Sequence, residues 1–189
     1  HDCVPSKIYR CLSNLIALPL SIIFRKSIST HTIPSEWKKC VVIPIPKSNQ
    51  PNLEKLRFIT LQPLPLKFLE RIVLRNMWGH FQASYGPEQH GFRPQASTTT
   101  ALVHLTDAAY KCVNDNSLFG LAVASFDMSR AFDTLECSLA ISKMRDLGFP
   151  SGFLRWLHNY FSNRTGQVRV KGQLSDTFEL LRGVPQGSV

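Results

Sequence analysis

The sequence lacks the short motifs that mark several common enzyme classes. It contains no GxxxxGK[ST] phosphate loop and no GxGxxG, HExxH or GxSxG motif. Kinase, dinucleotide-binding and zinc-protease functions therefore lose their main support. The five cysteines are odd in number and show no CxxC spacing, so neither a zinc site nor a disulfide framework is indicated. This cysteine usage fits a reducing compartment, and we expect an intracellular protein of the nucleus or cytoplasm.

Long apolar runs and acidic side chains are also scarce. The longest apolar run, LIALPLSIIF at 15–24, is too short to span a bilayer and is interrupted by Pro19, so we expect no membrane partner. The net charge is +9, and the excess lies in residues 1–95, which carry 13 basic and 5 acidic side chains. Residues 96–189 carry 9 basic and 8 acidic side chains. Such a charge distribution is typical of a protein that binds a polyanion with one half of its chain. A solvated basic surface would give the same distribution of charge.

The hydrophobic periodicity and the turn signals predict a mixed α/β fold. Helices are predicted over 5–30 with a break near Pro19, over 65–81, from Ser97 to 113, from 135 to Gly148, and over 151–163. Strands are predicted over 40–47, 56–61 and 117–127, and as a hairpin over 166–172 and 176–181. Two prolines in the first strand confine it to an edge or to a strand end.

The stretch ASFDMSRAFDTL at 124–135 places two carboxylates, Asp127 and Asp133, at the end of an apolar run. An unpaired carboxylate at the edge of a core needs a polar partner or a cation. Because strand ends open into clefts, Asp127 is well placed to ligate a metal ion. A turn or helix N-cap aspartate would look the same, and Asp133 could form an ion pair with Arg130.

Two further places have the residue types that bind phosphate or nucleotide. Lys47 and Arg57 flank a polar loop, where two cations could close over a triphosphate. GVPQGSV at 183–189 offers backbone amides and a glutamine amide beside a flexible turn. Solvated loop charges and a plain turn are the alternatives at these two places.

Six blocks follow one another in a distinctive order: IPSEWKKCVVIPIPK, LRFITL, LERIVL, QHGFRPQASTTTAL, ASFDMSRAFDTL and GVPQGSV. In this order they resemble the reverse transcriptase domain of non-LTR retrotransposons of the jockey-like kind. The resemblance covers 33–189, which we interpret as a partial reverse transcriptase domain, with 1–32 as an N-terminal helical extension.

The resemblance implies a right-hand polymerase fold, with fingers and part of the palm in this chain and the thumb outside it. It implies an RNA template, a DNA primer and deoxynucleoside triphosphates as partners, with Mg²⁺ as the cofactor. Asp127 matches the first catalytic aspartate of the palm, where its carboxylate and the carbonyl of Met128 would hold the metal.

Other matched positions imply contacts with the incoming nucleotide. Phe132 falls where the family places a bulky ring under the deoxyribose, although an ordinary core phenylalanine would look similar. Lys47 and Arg57 match the cations that bind the triphosphate, and Gln186 with Gly187 matches the turn near nucleotide and template.

Two residues are given supporting roles by the resemblance, and the chain also departs from the family pattern. Arg93 belongs to a block that supports the template side, and Asp133 to an AFD pattern that orients the site. The usual family sequence is RPISL where this chain has RFITL, so the proline that follows the arginine in the family is absent after Arg57. The family's second metal-binding element, a Y/F-x-D-D hairpin, is absent, and no two aspartates are adjacent. We therefore expect a truncated chain that does not polymerise by itself; the alternative is a decayed or domesticated remnant that binds nucleic acid without catalysis.

Overall fold

The computed structural model describes residues 4–46, 56–115 and 121–188. Over these residues the chain is a mixed α/β protein, as the sequence predicts. It divides into two compact units: unit 1 comprises His1–Asn76 with Arg130–Val189, and unit 2 comprises Met77–Ser129. Among the described residues, no helix is long and apolar enough to cross a membrane.

Two helices begin unit 1, α1 (Ser6–Cys11) and α2 (Ser13–Thr30). The break predicted near Pro19 is wrong, because α2 continues through this proline and the interruption falls at Leu12. Proline removes one backbone N–H and so leaves the carbonyl four residues earlier without its helical partner. That carbonyl belongs to Leu15, which is 74% exposed, so water can satisfy it.

The sheet of unit 1 contains β1 (Lys39–Pro46), β2 (Leu56–Leu61), β3 (Thr165–Val170), β4 (Gln173–Leu174) and β5 (Phe178–Glu179). β1 lies between β2, which is antiparallel to it, and β3, which is parallel to it. Its first half is therefore an inner strand, whereas both prolines lie in the second half, where β2 is its one neighbour among the described strands. Pairing with β3 stops at Val42, so Pro44 and Pro46 lie beyond the part of β1 that has this second neighbour.

The predicted hairpin is confirmed as β3 followed by β4 and β5, both antiparallel to β3. The predicted end of its first strand is wrong, because β3 ends at Val170 and residues 171–172 form the turn. Lys171 and Gly172 join β3 to β4 with φ angles of 50° and 85°. Positive φ at both positions is what a two-residue type I′ turn requires, and this turn matches the twist of the two strands.

The core of unit 1 lies where α2, α3 (Leu64–Ser84) and α7 (Ser151–Phe161) meet. Its buried members are Phe24, Ile33, Leu66, Leu69, Trp156 and Tyr160. Polar groups in this core are paired: the Tyr160 hydroxyl donates to Glu70 Oε1 (2.7 Å), and Trp156 Nε1 donates to Ser27 Oγ (3.1 Å). Burial, and then the charge of Glu70, raise the pKa of Tyr160, so its hydroxyl stays protonated and remains a donor.

Unit 2 contains α4 (Thr98–Asn114), which begins as predicted at Ser97. Ser97 Oγ accepts from the Thr100 backbone N–H (3.2 Å), and Thr100 Oγ1 accepts from the Ser97 N–H (2.9 Å). This reciprocal capping box satisfies two backbone donors at the start of the helix.

The strand predicted over 117–127 is wrong where the structure describes it: residues 121–128 form no regular secondary structure, and 116–120 lie outside the described residues. None of the described strands pairs with this segment, and Val123 and Phe126 are 64% and 94% exposed. A strand needs a neighbour for its backbone groups, and an apolar run does not supply one.

Two helices return the chain to unit 1, α5 (Ala131–Thr134) and α6 (Cys137–Asp146). The end of α6 is as predicted, since Gly148 has a φ of 80° and its N–H donates to the carbonyl of Arg145 (3.0 Å). Glycine adopts this left-handed conformation without the steric cost of a Cβ atom.

Candidate active site

The turn formed by residues 183–188, which we call the GVPQGS turn, is fixed to two separate parts of unit 1. The Thr60 N–H on β2 donates to the Gln186 carbonyl (2.7 Å). On its other side, the N–H groups of Val184 and Gly183 donate to the carbonyls of Phe132 (2.8 Å) and Leu135 (2.9 Å). The turn therefore joins the second strand of the sheet to the short helix that carries Phe132.

Two glycines make this close approach possible. Gly183 has a φ of 79°, and a Cβ atom there would lie 2.7 Å from the carbonyl oxygens of both Phe132 and Asp133. Gly187 has a φ of 114°, and a Cβ atom there would lie 2.9 Å from the carbonyl oxygen of Thr60. Any other residue would force the backbone apart at these two contacts.

A side-chain hydrogen bond closes the arrangement. Gln186 Nε2 donates to Asp133 Oδ1 at 2.8 Å. Asp133 thus stabilises the GVPQGS turn through its side-chain carboxylate, and the neighbouring Phe132 stabilises it through its backbone carbonyl. The role of Asp133 in orienting the site stays a prediction.

Phe132 lies on α5 and is 49% exposed, so it is not an ordinary core phenylalanine. The residue before the helix, Arg130, is the N-cap and adopts a left-handed conformation (φ 54°). A half-exposed aromatic ring beside a glycine-rich turn offers a flat apolar surface to a ligand.

Arg57 lies on β2, three residues before Thr60, and is exposed. The register of the β1–β2 pair places it opposite Ile45. Lys47, the other predicted cation, lies outside the described residues. Arg57, Phe132, Gln186 and Gly187 are thus brought onto elements joined by the GVPQGS turn.

Asp127 and Met128 belong to unit 2, whereas the cluster around the GVPQGS turn belongs to unit 1. Both residues are exposed in the segment 121–128. The alternative role of Asp127 as an N-cap is wrong for α5, because that helix is preceded by Arg130 in the cap position. Within the described residues, no group of three or more His, Cys, Asp or Glu could hold a metal ion.

Arg93, the predicted template-side residue, lies in a loop of unit 2 and is exposed. Its Nη1 donates to the Gly86 carbonyl at 3.4 Å, which ties the two ends of this loop together.

A thiol lies beside the turn but is not set up for nucleophilic chemistry. Cys137 Sγ donates to the Gly183 carbonyl at 3.5 Å. Burial, and then the negative charge of Glu136, raise the pKa of the Cys137 thiol. It therefore stays protonated near neutral pH and acts as a structural neighbour of the turn.

Sequence reasoning missed three residues of this arrangement. Thr60 and Leu135 take part through backbone atoms, which any residue type supplies, so their identities carry no signal. Gly183 was visible as part of GVPQGS, but only the fold shows which carbonyls it approaches.

A family model described as reverse transcriptase (RNA-dependent DNA polymerase) matches residues 45–189. The chain belongs to the reverse transcriptase family, and the resemblance found in the sequence is confirmed.

Three proteins of Drosophila melanogaster are similar to this chain along nearly all of its length. The probable RNA-directed DNA polymerase from transposon BS is 29% identical, covering 95% of this chain and 20% of that protein. The RNA-directed DNA polymerase from mobile element jockey is 27% identical, and the match covers 100% of this chain and 21% of that protein. The probable RNA-directed DNA polymerase from transposon X-element is 26% identical, and the match covers 100% of this chain and 21% of that protein. The chain therefore spans about a fifth of the length of these relatives.

Proposed function

We propose that the chain is part of the RNA-directed DNA polymerase of a mobile element and contributes the site for the incoming deoxynucleotide. The observation that supports this most directly is the GVPQGS turn, because its backbone bonds join β2, which carries Arg57, to the helix that carries Phe132. Hydrogen bonds of the turn therefore connect the elements that carry Arg57 and Phe132.

Each residue of the proposed site has a distinct part. The guanidinium of Arg57 binds triphosphate oxygens, together with Lys47. The ring of Phe132 lies under the sugar and leaves no room for a 2′-hydroxyl. Gln186 and Gly187 contact the nucleotide and the template, and Asp133 keeps the Gln186 amide in place.

Asp127 and the Met128 carbonyl are proposed to hold Mg²⁺. Their oxygen atoms suit this ion, which usually keeps several waters and binds one or two carboxylates plus substrate phosphates. When bound, Mg²⁺ would activate the primer 3′-hydroxyl and neutralise charge on the transferred phosphoryl group. This chain would supply two oxygen ligands from consecutive residues, the carboxylate of Asp127 and the backbone carbonyl of Met128.

The wider proposal is a fingers-and-palm arrangement of the right-hand polymerase type. Its partners are an RNA template, a DNA primer and deoxynucleoside triphosphates, and it works in the nucleus or cytoplasm. The basic first half of the chain, with 13 basic and 5 acidic side chains in residues 1–95, would contact nucleic-acid phosphates.

Nucleotide selection by the chain tests the proposal without requiring synthesis. With an RNA template annealed to a DNA primer and Mg²⁺ present, calorimetry should show that the wild-type chain binds dGTP more tightly than GTP opposite cytosine. We expect a ratio of roughly tenfold or more, because a 2′-hydroxyl would clash with the Phe132 ring.

The Phe132→Ala variant should lose most of this ratio by binding GTP better. Its backbone bond to Val184 is kept, so the turn should survive. Tyr110→Ala removes an aromatic ring that is 70% exposed on α4 and should leave the ratio unchanged. Equal binding of dGTP and GTP by the wild-type chain would refute the role of Phe132, and no binding of either would refute the nucleotide site.

A further inference from the structure

A half-open cavity of about 580 Å³ lies in unit 1, and the proposed nucleotide site does not account for it. One wall is a face of the sheet, formed by Val42, Thr60 and Val168, which the strand registers place side by side. The opposite walls are α6, the end of α7 and residues 180–185. This volume is typical of sites for small molecules.

The cavity is distinct from the proposed nucleotide site. Phe58 and Thr60 line it, whereas Arg57 does not, and alternate residues of a strand point to opposite faces of a sheet. Phe132, Gln186 and Gly187 are likewise absent from its walls. The two sites share the GVPQGS turn, whose first residues, Gly183 to Pro185, form part of the cavity wall. They also share Asp133, which lines the cavity and accepts the hydrogen bond from Gln186.

The walls combine aromatic surface with a buried cation. Phe58 and Phe178 line the cavity and are still 36% and 38% exposed, so a bound molecule would cover apolar surface. Arg164 lines it too and is only 3% exposed. A buried guanidinium is costly unless its charge and its N–H groups are satisfied.

The contacts of Arg164 leave its charge without a direct counter-ion. Nη1 donates to the Tyr160 carbonyl (3.3 Å), and the guanidinium lies 4.8 Å from the centre of the Tyr160 ring. With the amide of Gln62 turned to satisfy its neighbours, Nη2 donates to the Gln62 oxygen (2.7 Å). Nε has no hydrogen-bond partner, and Arg164 takes part in none of the ion pairs found among the described residues.

A second buried cation adds to this positive region. Lys38 is 7% exposed, and its pKa is lowered by burial and then by the charge of Arg164. Glu70, the carboxylate of the adjoining polar network, accepts a hydrogen bond from the Tyr160 hydroxyl. The cavity wall carries one carboxylate, Asp133, and none of the ion pairs found among the described residues joins it to Arg164. An anion bound at Arg164 would therefore supply the direct counter-ion that this guanidinium lacks.

We infer that this cavity binds a small molecule with an aromatic body and one carboxylate or phosphate, the ring against Phe58 and Phe178 and the anion on Arg164. Because the GVPQGS turn forms one wall, the bound molecule would also stabilise that turn. The inference does not depend on the proposed polymerase activity, since it requires only binding to unit 1.

Matched probes test it directly. We would titrate the isotope-labelled chain with 1-naphthyl phosphate, 1-naphthoate and uncharged 1-naphthol, and follow the methyl NMR signals of Ile141 and Val168, which line the cavity. At least one anionic probe should bind about tenfold or more tightly than 1-naphthol, because a hydrogen bond to a charged group is worth roughly that factor. The anion that binds better identifies the natural group as phosphate or carboxylate.

Two variants locate the binding. Arg164→Gln should remove the preference for the anionic probes, provided that circular dichroism shows it folded. Should it not fold, Ser138→Phe, which fills the cavity from α6, should weaken all three probes, whereas Leu139→Phe on the same helix but outside the cavity should not. Binding that survives Ser138→Phe, equal affinity for charged and uncharged probes, or no shift of either methyl signal would overturn the inference.

Discussion

Gly183 has the tightest backbone contact of the GVPQGS turn, and this makes it the residue on which the proposed site most depends. Replacement by alanine would place a Cβ atom 2.7 Å from two carbonyl oxygens, in a left-handed conformation that alanine disfavours. Since both contacts are backbone atoms, neither can move aside as a flexible side chain would.

We predict that Gly183→Ala lowers the free energy of unfolding by about 3 kcal/mol or more, measured by urea denaturation. Gly172→Ala is the matched control, because Gly172 also has a positive φ (85°) but no atom within 4 Å of the added Cβ. It should cost only about 1–2 kcal/mol, the strain of the left-handed conformation. Equal losses in the two variants would mean that the contact with residues 132 and 133 is absent in solution.

The 17-residue helix α4 depends strongly on its own ends, because none of its described residues is buried. Little tertiary packing supports it, so local capping should matter more than usual. Its capping box is therefore the feature of unit 2 whose removal should be easiest to observe.

We predict that Ser97→Ala destabilises α4 by about 1 kcal/mol and speeds amide hydrogen exchange in its first two turns. Thr99→Ala, in the same turn but outside the capping box, should change the stability by less than about 0.5 kcal/mol. Unchanged exchange in Ser97→Ala would show that the helix start is held by something other than this cap.

The elements that the sequence predicted correctly are those with local signals. Ser97 before a periodic helix and Gly148 after another each fix their structure within a few residues. The failures concern partners that are distant in the chain. Nothing in residues 39–46 reveals that β3 will pair with them, and an apolar run at 121–127 does not specify a neighbouring strand.

The candidate site shows the same difference between features with a local sequence signal and contacts between residues distant in the chain. The resemblance pointed to Phe132, Gln186 and Gly187, and the fold brings all three to one turn. The bond between Gln186 and Asp133 joins residues 53 positions apart, so no local pattern could have revealed it. The cavity behind the turn is formed by backbone topology and was invisible for the same reason.

Over the whole chain, the uneven charge predicts where nucleic acid is held. If the basic half contacts phosphates, binding to single-stranded RNA should fall about tenfold between about 50 and 200 mM salt, as expected for a few released counterions. Fluorescence anisotropy with labelled RNA would measure this.

A pair of double variants locates the contact. Replacing Arg25 and Lys26, both exposed on α2, by glutamine should weaken binding and flatten the salt dependence. Replacing Arg169 and Lys171, near the β3–β4 turn, removes the same charge from the other half and should have a smaller effect. Equal effects would indicate a diffuse attraction to net charge, without a binding face.

The GVPQGS turn also fixes the order in which the molecule can be assembled. Its hydrogen bonds connect Gln186 to Thr60 and Val184 to Phe132, so they cannot form until residues near 186 have been synthesised. On the ribosome, β2 and the helix with Phe132 are made well before this turn, and contacts across such long loops form slowly. Completion of the proposed nucleotide site is therefore a late event in folding, and a nascent chain that has not yet made the turn cannot hold a nucleotide there.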